Sequence, residues 1–385
     1  MGMLALLAGV GLALANGAND NCKGVATLIG GLVISQVKAL RLAHATTFLG
    51  CLASVLVARG LIHAFQGNGM LPEELAGDRS LLTIVGAAAA ATILLATWLR
   101  LPVSTTHALI GALVGAGLGA SGTVLWGGLL SKFLIPLLLS PLVGAVLAGG
   151  AYRVLHRLRL AMGVSEETCV CVGESRAWIP VRELAGAAEC DPSLGSGLSA
   201  CVHAQAGVSA VSVHVGREDE CRQRYQGQVL GVSAASLLDT AHGFSASLTS
   251  FARGMNDAPK LAAIVIGITA WSSAGPAVAI GLVAVAMAVG GILGARRVEP
   301  TMSEGITSMN AGSAATANGV AAVLVIMASL WALPVSTTHV TCGAIFGIGA
   351  AHRQARGRMI GGILLAWGAT LPVAALMALG LTALL

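Results

Sequence analysis

Seven consecutive residues, Leu101-Pro102-Val103-Ser104-Thr105-Thr106-His107, recur unchanged as Leu333-Pro334-Val335-Ser336-Thr337-Thr338-His339. A second pair keeps the same order: residues 15–30 read ANGANDNCKGVATLIG and residues 252–267 read ARGMNDAPKLAAIVIG. The offsets are nearly equal, 232 positions between Ser104 and Ser336 and 237 between Asn19 and Asn256. Two ordered motifs at a common distance mean two related halves joined by an insert. Any fold must place each motif twice, and a pseudo-two-fold arrangement brings the copies face to face.

Both motifs lie in apolar sequence. The 385 residues are 56% hydrophobic and 10% charged, with mean hydropathy +0.83, whereas soluble domains carry about 25% charged residues. Residues 81–99 and 273–295 hold no charge, and apolar runs of about 17–25 residues are membrane-span candidates. The short alternating segments of a β-barrel are absent, and the 51 glycines suit helices packed closely in lipid. The expected fold class is an all-α polytopic membrane protein. The first apolar run has no basic region before it and reads as a first membrane segment, not a cleaved signal. The net charge of +5 sits mainly in loops and carries no nucleic-acid signature.

Three regions follow from the distribution of polar residues. Residues 1–152 form a first transmembrane repeat, residues 153–228 a linker or small subdomain, and residues 229–385 a second transmembrane repeat. Residues 3–37 are interrupted at 16–23, residues 42–62 form a span, and residues 80–99 and 103–120 meet at the Arg100-Leu101-Pro102 break. The second half repeats this plan, with an interruption at 253–260 and a break at Leu333-Pro334. In the linker, residues 208–215 alternate like a short strand. Cys169-Val170-Cys171 is a candidate metal pair, but CxxC spacing and nearby His pairs are missing, so free thiols and no structural metal are expected.

Lys and Arg favour the cytoplasmic side. Placing the Arg153 linker inside puts the acidic loop of residues 64–79, with Glu73, Glu74 and Asp78, outside. Lys38, Arg41, Arg296, Arg297 and the turn holding Arg353, Arg356 and Arg358 then all fall inside. The same assignment sets both termini outside and makes the halves inverted. Inverted repeats with broken helices are the layout of secondary transporters. The charges leave open whether residues 80–120 cross twice or form a re-entrant hairpin.

The Ser/Thr cluster follows a proline at a helix start, where free N–H groups and the positive end of the dipole attract anions. Two copies facing one another would cage a tetrahedral oxyanion through Ser104, Thr105, Thr106, Ser336, Thr337 and Thr338; the competing reading is that these hydroxyls cap helices. His107 and His339 are either ligands or structural residues. In Asn19-Asp20-x-x-Lys23 and Asn256-Asp257-x-x-Lys260, Asp and Lys stand one helical turn apart and can neutralise each other. Ionisable residues inside membrane segments mark function by default; a structural ion pair is the alternative. Arg100 and Arg253 have no charged repeat partner, and either strengthens the anion site or, for Arg253, snorkels to the interface.

These motifs resemble the inorganic phosphate transporter (Pit) family, whose signature is a repeated G-A-N-D-V-A-N-A-like motif with P-V-S-T-T-H. The resemblance covers both halves and leaves out the linker. It implies about twelve membrane segments in two inverted-topology repeats, with re-entrant helical hairpins and a central anion site. By motif position it implies Ser104, Thr105, Thr106, Ser336, Thr337 and Thr338 as anion ligands. It implies Asn19, Asp20, Asn256 and Asp257 as anion and coupling-cation residues, with Glu299 as a surviving family-like carboxylate. It also suggests a homodimer. The departure is Lys23 and Lys260, where the motif carries its second Asn. An ammonium there stands in for a bound cation or carries a proton, because a buried Lys titrates more readily than an exposed one.

The expected function is secondary active transport of inorganic phosphate across the cell inner (plasma) membrane by alternating access. The symport is cation-coupled, with H+ favoured over Na+ because of Lys23 and Lys260. Asp20 and Asp257 are the candidate Na+ position, no cofactor is expected, and the chain is not an enzyme. A permease for sulfate or a related oxyanion is the alternative within the class, and an anion channel the alternative outside it. The partners are phosphate or sulfate and the lipid bilayer, with no nucleic acid.

Overall fold

The computed structural model describes residues 2–31, 33–163, 165–167, 171–175, 210–214, 224–226, 228–229, 232–268, 275–303, 309–352 and 357–384. They divide into two units, residues 1–165 with 227–385, and residues 166–226.

The larger unit is helical. Its helices are α1 (Gly2–Asp20), α2 (Ala26–Gly30), α3 (Gln36–Ala53), α4 (Ala58–Phe65), α5 (Arg79–Trp98), α6 (Thr105–Ser121), α7 (Trp126–Gly128), α8 (Ile135–Ala161), α9 (Ala234–Ile268), α10 (Gly275–Ser303), α11 (Ala311–Leu330), α12 (Thr337–His352) and α13 (Gly357–Leu384). A π-helical stretch, Leu129–Leu134, joins α7 to α8. Seven helical stretches among the described residues are long and apolar enough to cross a membrane. The protein is a multi-pass helical membrane protein. In the smaller unit, strands β1 (Cys171–Ser175) and β2 (Ala210–His214) pair antiparallel, with Gly173 opposite Ser212. The expected strand at 208–215 is thus present over 210–214; residues 208, 209 and 215, and Cys169 and Val170 of the proposed metal pair, lie outside the described residues.

Packing exchanges elements between halves. α1 lies along α10 as α3 lies along α9, and α6 lies along α13 as α8 lies along α12. Helices without side chains at the contact approach backbone to backbone. A Cβ at Gly17 would come within 2.0 Å of the Met287 carbonyl oxygen, and one at Gly254 within 2.1 Å of the Thr47 carbonyl oxygen. Both glycines precede the Asn-Asp pairs, so close packing and polar motif coincide.

The two breaks are built alike. Asp78 caps α5, accepting from Leu81 N at 2.8 Å, and Asn310 caps α11, accepting from Ser313 N at 2.9 Å. α5 ends where Leu101 N reaches back to Ala96 O at 2.8 Å and Arg100 turns left-handed at φ 60°. α11 ends where Leu333 N reaches Ala328 O at 2.8 Å and Ala332 turns at φ 54°. Each is a Schellman-type stop without glycine, followed by a proline that cannot continue a helix.

Three boundaries differ from expectation. Lys38 and Arg41 lie within α3, and the single span expected over 42–62 is α3, a 3-10 turn and α4. α8 runs past Tyr152 to Ala161, since residues 153–161 are mostly Leu and Arg, good helix formers whose stems cover apolar surface. The second Asn-Asp-Lys motif does not interrupt its helix, which continues through Pro259. There Leu261-Ala262-Ala263 propagate the helix, whereas Asn21 and Gly24 weaken it after Asp20.

Candidate functional site

The motifs meet in the interior. Asn19, Asp20, Lys23, Asn256, Asp257, Lys260 and all six Ser/Thr residues are buried, with Lys23 2% and Lys260 0% exposed. An ammonium has three protons to donate, and both lysines place all three. Lys23 Nζ donates to Asp20 Oδ1, to Val103 O at 2.6 Å and to Thr338 Oγ1 at 2.7 Å. Lys260 Nζ donates to Asp257 Oδ1 at 3.3 Å, to Val335 O at 2.7 Å and to Thr106 Oγ1 at 2.9 Å. Each lysine therefore binds its own aspartate, the carbonyl of its own break, and a threonine of the other half.

The threonines close the crossing. Thr106 Oγ1 donates to Val335 O at 3.3 Å and Thr338 Oγ1 to Val103 O at 3.1 Å. Thr105 Oγ1 donates to Asp20 Oδ2 at 3.1 Å, and Thr337 Oγ1 to Asp257 Oδ2 at 3.5 Å. The serines behave differently. Ser104 Oγ accepts from His107 N and Ser336 Oγ from His339 N, each at 3.2 Å. Capping thus accounts for the serines, while the four threonines make contacts that capping does not require.

The asparagines hold the breaks. Asn19 Nδ2 donates to Thr97 Oγ1 and Leu101 O, both at 3.0 Å, and its Oδ1 accepts from Val103 N at 3.2 Å. Asn256 Nδ2 donates to Val335 O at 3.3 Å, and its Oδ1 accepts from Ser329 Oγ at 3.3 Å. Thr97 and Ser329 were not singled out by motif, yet they stand 232 positions apart like the serines, so aligning the halves would have found them.

Arg253 does not snorkel. It is 2% exposed and donates to Asn21 Oδ1, to Thr47 Oγ1 at 2.9 Å and to Asn16 Oδ1 at 3.5 Å. Asn16 in turn donates to Asp20 Oδ2 at 3.1 Å and Thr105 Oγ1 at 2.9 Å. Asp20, Asp257, Lys23, Lys260 and Arg253 leave one formal positive charge in the centre. Arg100 is elsewhere: its side chain is exposed, and its carbonyl accepts from Thr301 Oγ1 at 2.9 Å. Glu299 is buried, and its Oε2 accepts from Gln36 Nε2 at 2.6 Å. No hydrogen bond among the described residues joins it to either Asp–Lys pair. The His107 and His339 rings lie 4.4 Å apart behind the threonines, and His339 lies 3.8 Å from Trp367. They make a cross-half aromatic contact.

The oxygen set around each lysine, a carboxylate, a backbone carbonyl and a hydroxyl, is the donor type that hard cations take. The described residues contain no group of three or more His, Cys, Asp or Glu placed to hold a metal. Cys22, Cys51 and Cys342 are buried free thiols.

Comparisons with known proteins agree with this architecture. The sequence model of the PHO4 phosphate transporter family matches residues 16–378. A protein of Pyrococcus horikoshii named as a phosphate permease is 28% identical over 98% of this chain and 95% of its own length. The chloroplastic inorganic phosphate transporter 2-1 of Arabidopsis thaliana is 26% identical over 97% of this chain and 70% of its own length. Among solved structures, the sodium-dependent phosphate transporter superposes with TM-score 0.71 at 21% identity, covering 99% of this chain and 98% of the other. That likeness is one of fold.

Proposed function

We propose how the site works from the premise that this chain belongs to the PHO4 phosphate transporter family, a family of transporters and not of enzymes. The protein moves inorganic phosphate across the cell inner membrane by cation-coupled symport, with H+ as the coupling ion in preference to Na+. The observation that carries this reading is the crossed lysine contact. Lys23 and Lys260 each sit in an oxygen cage of the kind that would suit Na+, so a tethered ammonium takes the place of a mobile cation.

In the state described, every ammonium proton of Lys23 and Lys260 and the hydroxyl protons of Thr105, Thr106, Thr337 and Thr338 are satisfied within the protein. Phosphate enters by exchanging these contacts. Thr106 and Thr338 turn from the break carbonyls to the anion, and the lysines follow. The aspartates then lose their partners; hydrogen phosphate brings two negative charges to a centre holding one positive charge, and a proton on Asp20 or Asp257 restores neutrality. Coupling arises because anion and proton bind at the expense of the same ion pairs.

The paired contacts support two inverted repeats. The equal construction of the breaks and the exchange of helices between halves both fit a pseudo-two-fold axis through the site. α6 and α12, at 17 and 16 residues, span about 25 Å at 1.5 Å per residue, less than the ~30 Å hydrocarbon core. They read as inner arms of two re-entrant hairpins, in a plan of about twelve segments. Rocking of one half against the other gives alternating access, with the linker cytoplasmic and both termini outside.

Purified protein in proteoliposomes tests the function. Acid outside should drive accumulation of labelled phosphate, and a Na+ gradient at constant pH should not. Robust Na+-driven uptake that survives a protonophore overturns H+ coupling. Conductance without accumulation overturns symport in favour of a channel, and equal uptake of sulfate overturns phosphate selectivity.

A further inference from the structure

A cavity of about 660 Å³ lies against the second break, with Ala332, Leu333 and Pro334 in its inner wall. Val335, the next residue, gives its carbonyl to Lys260. Phe133 also lines the cavity and packs edge-on against Phe65 with ring centroids 5.9 Å apart. The Lys260 ammonium lies 5.8 Å from the Phe65 ring centroid. The buried Phe65–Phe133 pair thus stands between the cavity and the lysine at the centre.

The polar lining is unusual. Lys132 belongs to the π-helical stretch near the start of the long apolar segment 126–161, and its side chain is exposed, as is that of Glu73. Its Nζ lies over the backbone of Gly69, 2.8 Å from where a Cβ would be. Glu73 lines the same cavity from the loop between α4 and α5. Neither Lys132 nor Glu73 makes a hydrogen bond or ion pair among the described residues. Two opposite charges share one cavity and leave the space between them open. Ser131 and Asn68 add neutral polar groups to the lining.

We propose that this cavity is a vestibule that selects a protonated oxyanion, with Lys132 donating to its oxygens and Glu73 accepting a hydrogen bond from its P–OH group. This rests on the transport reading above. Hydrogen phosphate and dihydrogen phosphate both present acceptors and a donor, so both charges find a partner. Sulfate is fully ionised and has no donor, so it meets the Glu73 carboxylate as a like charge. Selection thus happens before the Phe65–Phe133 pair, and the central site, rich in donors, need not perform it. The loop carrying Glu73 is the acidic one assigned to the outside by the basic residues, so the vestibule samples the outer solution.

Outside-facing phosphate uptake by the full-length protein in proteoliposomes tests this, with sulfate as competitor. Lys132→Gln should raise the phosphate KM about tenfold with little change in kcat, and Lys132→Arg should restore it. Glu73→Gln should lower the sulfate inhibition constant about tenfold while phosphate KM moves far less. An unchanged KM in Lys132→Gln, or an unchanged sulfate inhibition constant in Glu73→Gln, overturns the vestibule. A wild-type protein that takes up no phosphate overturns the transport reading itself, a different result. Thermal unfolding of each purified variant should match wild type; a fall in Tm together with kcat would make Lys132 a structural residue and overturn the proposal.

Discussion

The two copies of the Asn-Asp-x-x-Lys motif share their chemistry and differ in backbone. The first ends α1 at Asp20 and continues as a turn, with Lys23 N bonded to Asp20 O at 3.1 Å. The second sits inside a 35-residue helix that carries Pro259 without stopping. Both lysines nevertheless reach the same three kinds of oxygen. Side-chain crossing between halves, and not a particular unwinding of the backbone, sets the site. The surroundings also differ. At the first break Thr301 bonds the carbonyl of the exposed Arg100, while the second lines a cavity. The halves are alike at the centre and unlike around their breaks.

Removing one member of an ion pair should break the equivalence most severely. Asp20→Asn or Asp257→Asn leaves a buried ammonium without its carboxylate, which costs about 3–5 kcal/mol. Each single variant should show a large fall in Tm in detergent. Pairing Asp20→Asn with Lys23→Met should recover most of the stability and none of the uptake. If single and double variants melt alike, the pair contributes nothing net and the centre is held by the threonines.

Smaller effects come from the crossing hydroxyls. Thr106→Val and Thr338→Val each remove a bond to a charged donor from the opposite half, worth about 1.5–3 kcal/mol. Uptake should fall at least tenfold in both. Equal losses would sharpen the equivalence of the halves, and a loss confined to Thr106→Val would tie transport to the cavity side through Lys260.

The smallest expected change is a gain. Arg100 and Ala332 hold left-handed backbone at φ 60° and 54°, a region that costs a non-glycine residue about 1 kcal/mol. Arg100→Gly and Ala332→Gly should each raise stability by about 0.5–1 kcal/mol if the strain outweighs the extra freedom of the unfolded chain. A raised Tm with reduced turnover would mark the breaks as strained for function; a lowered Tm in both would show that the stops are already relaxed.

The sequence by itself determined the class, the doubling and which lysines, aspartates and threonines gather in the interior. Apolar runs in a nearly uncharged chain can only be buried in lipid or in one another, and identical heptapeptides announce equivalent positions. Lys23, Lys260 and the threonines were legible because a charge or a triple hydroxyl in apolar sequence has to find a partner. Who that partner is was decided by tertiary structure alone. Lys23 and Thr338 are 315 positions apart, and no local pattern encodes that each lysine crosses to the other half. The same holds for Arg253, which reads equally as an anion-site or a snorkelling residue until Asn16, Asn21 and Thr47 are seen around it. It holds too for Glu299, whose motif-like position hides a partner, Gln36, in the other half. The cavity beside Ala332 left no mark in sequence, because Lys132 and Glu73 come from separate segments whose meeting depends on helix packing. Periodicity and composition report what one segment prefers; which segments then touch is set by the shapes they bury together.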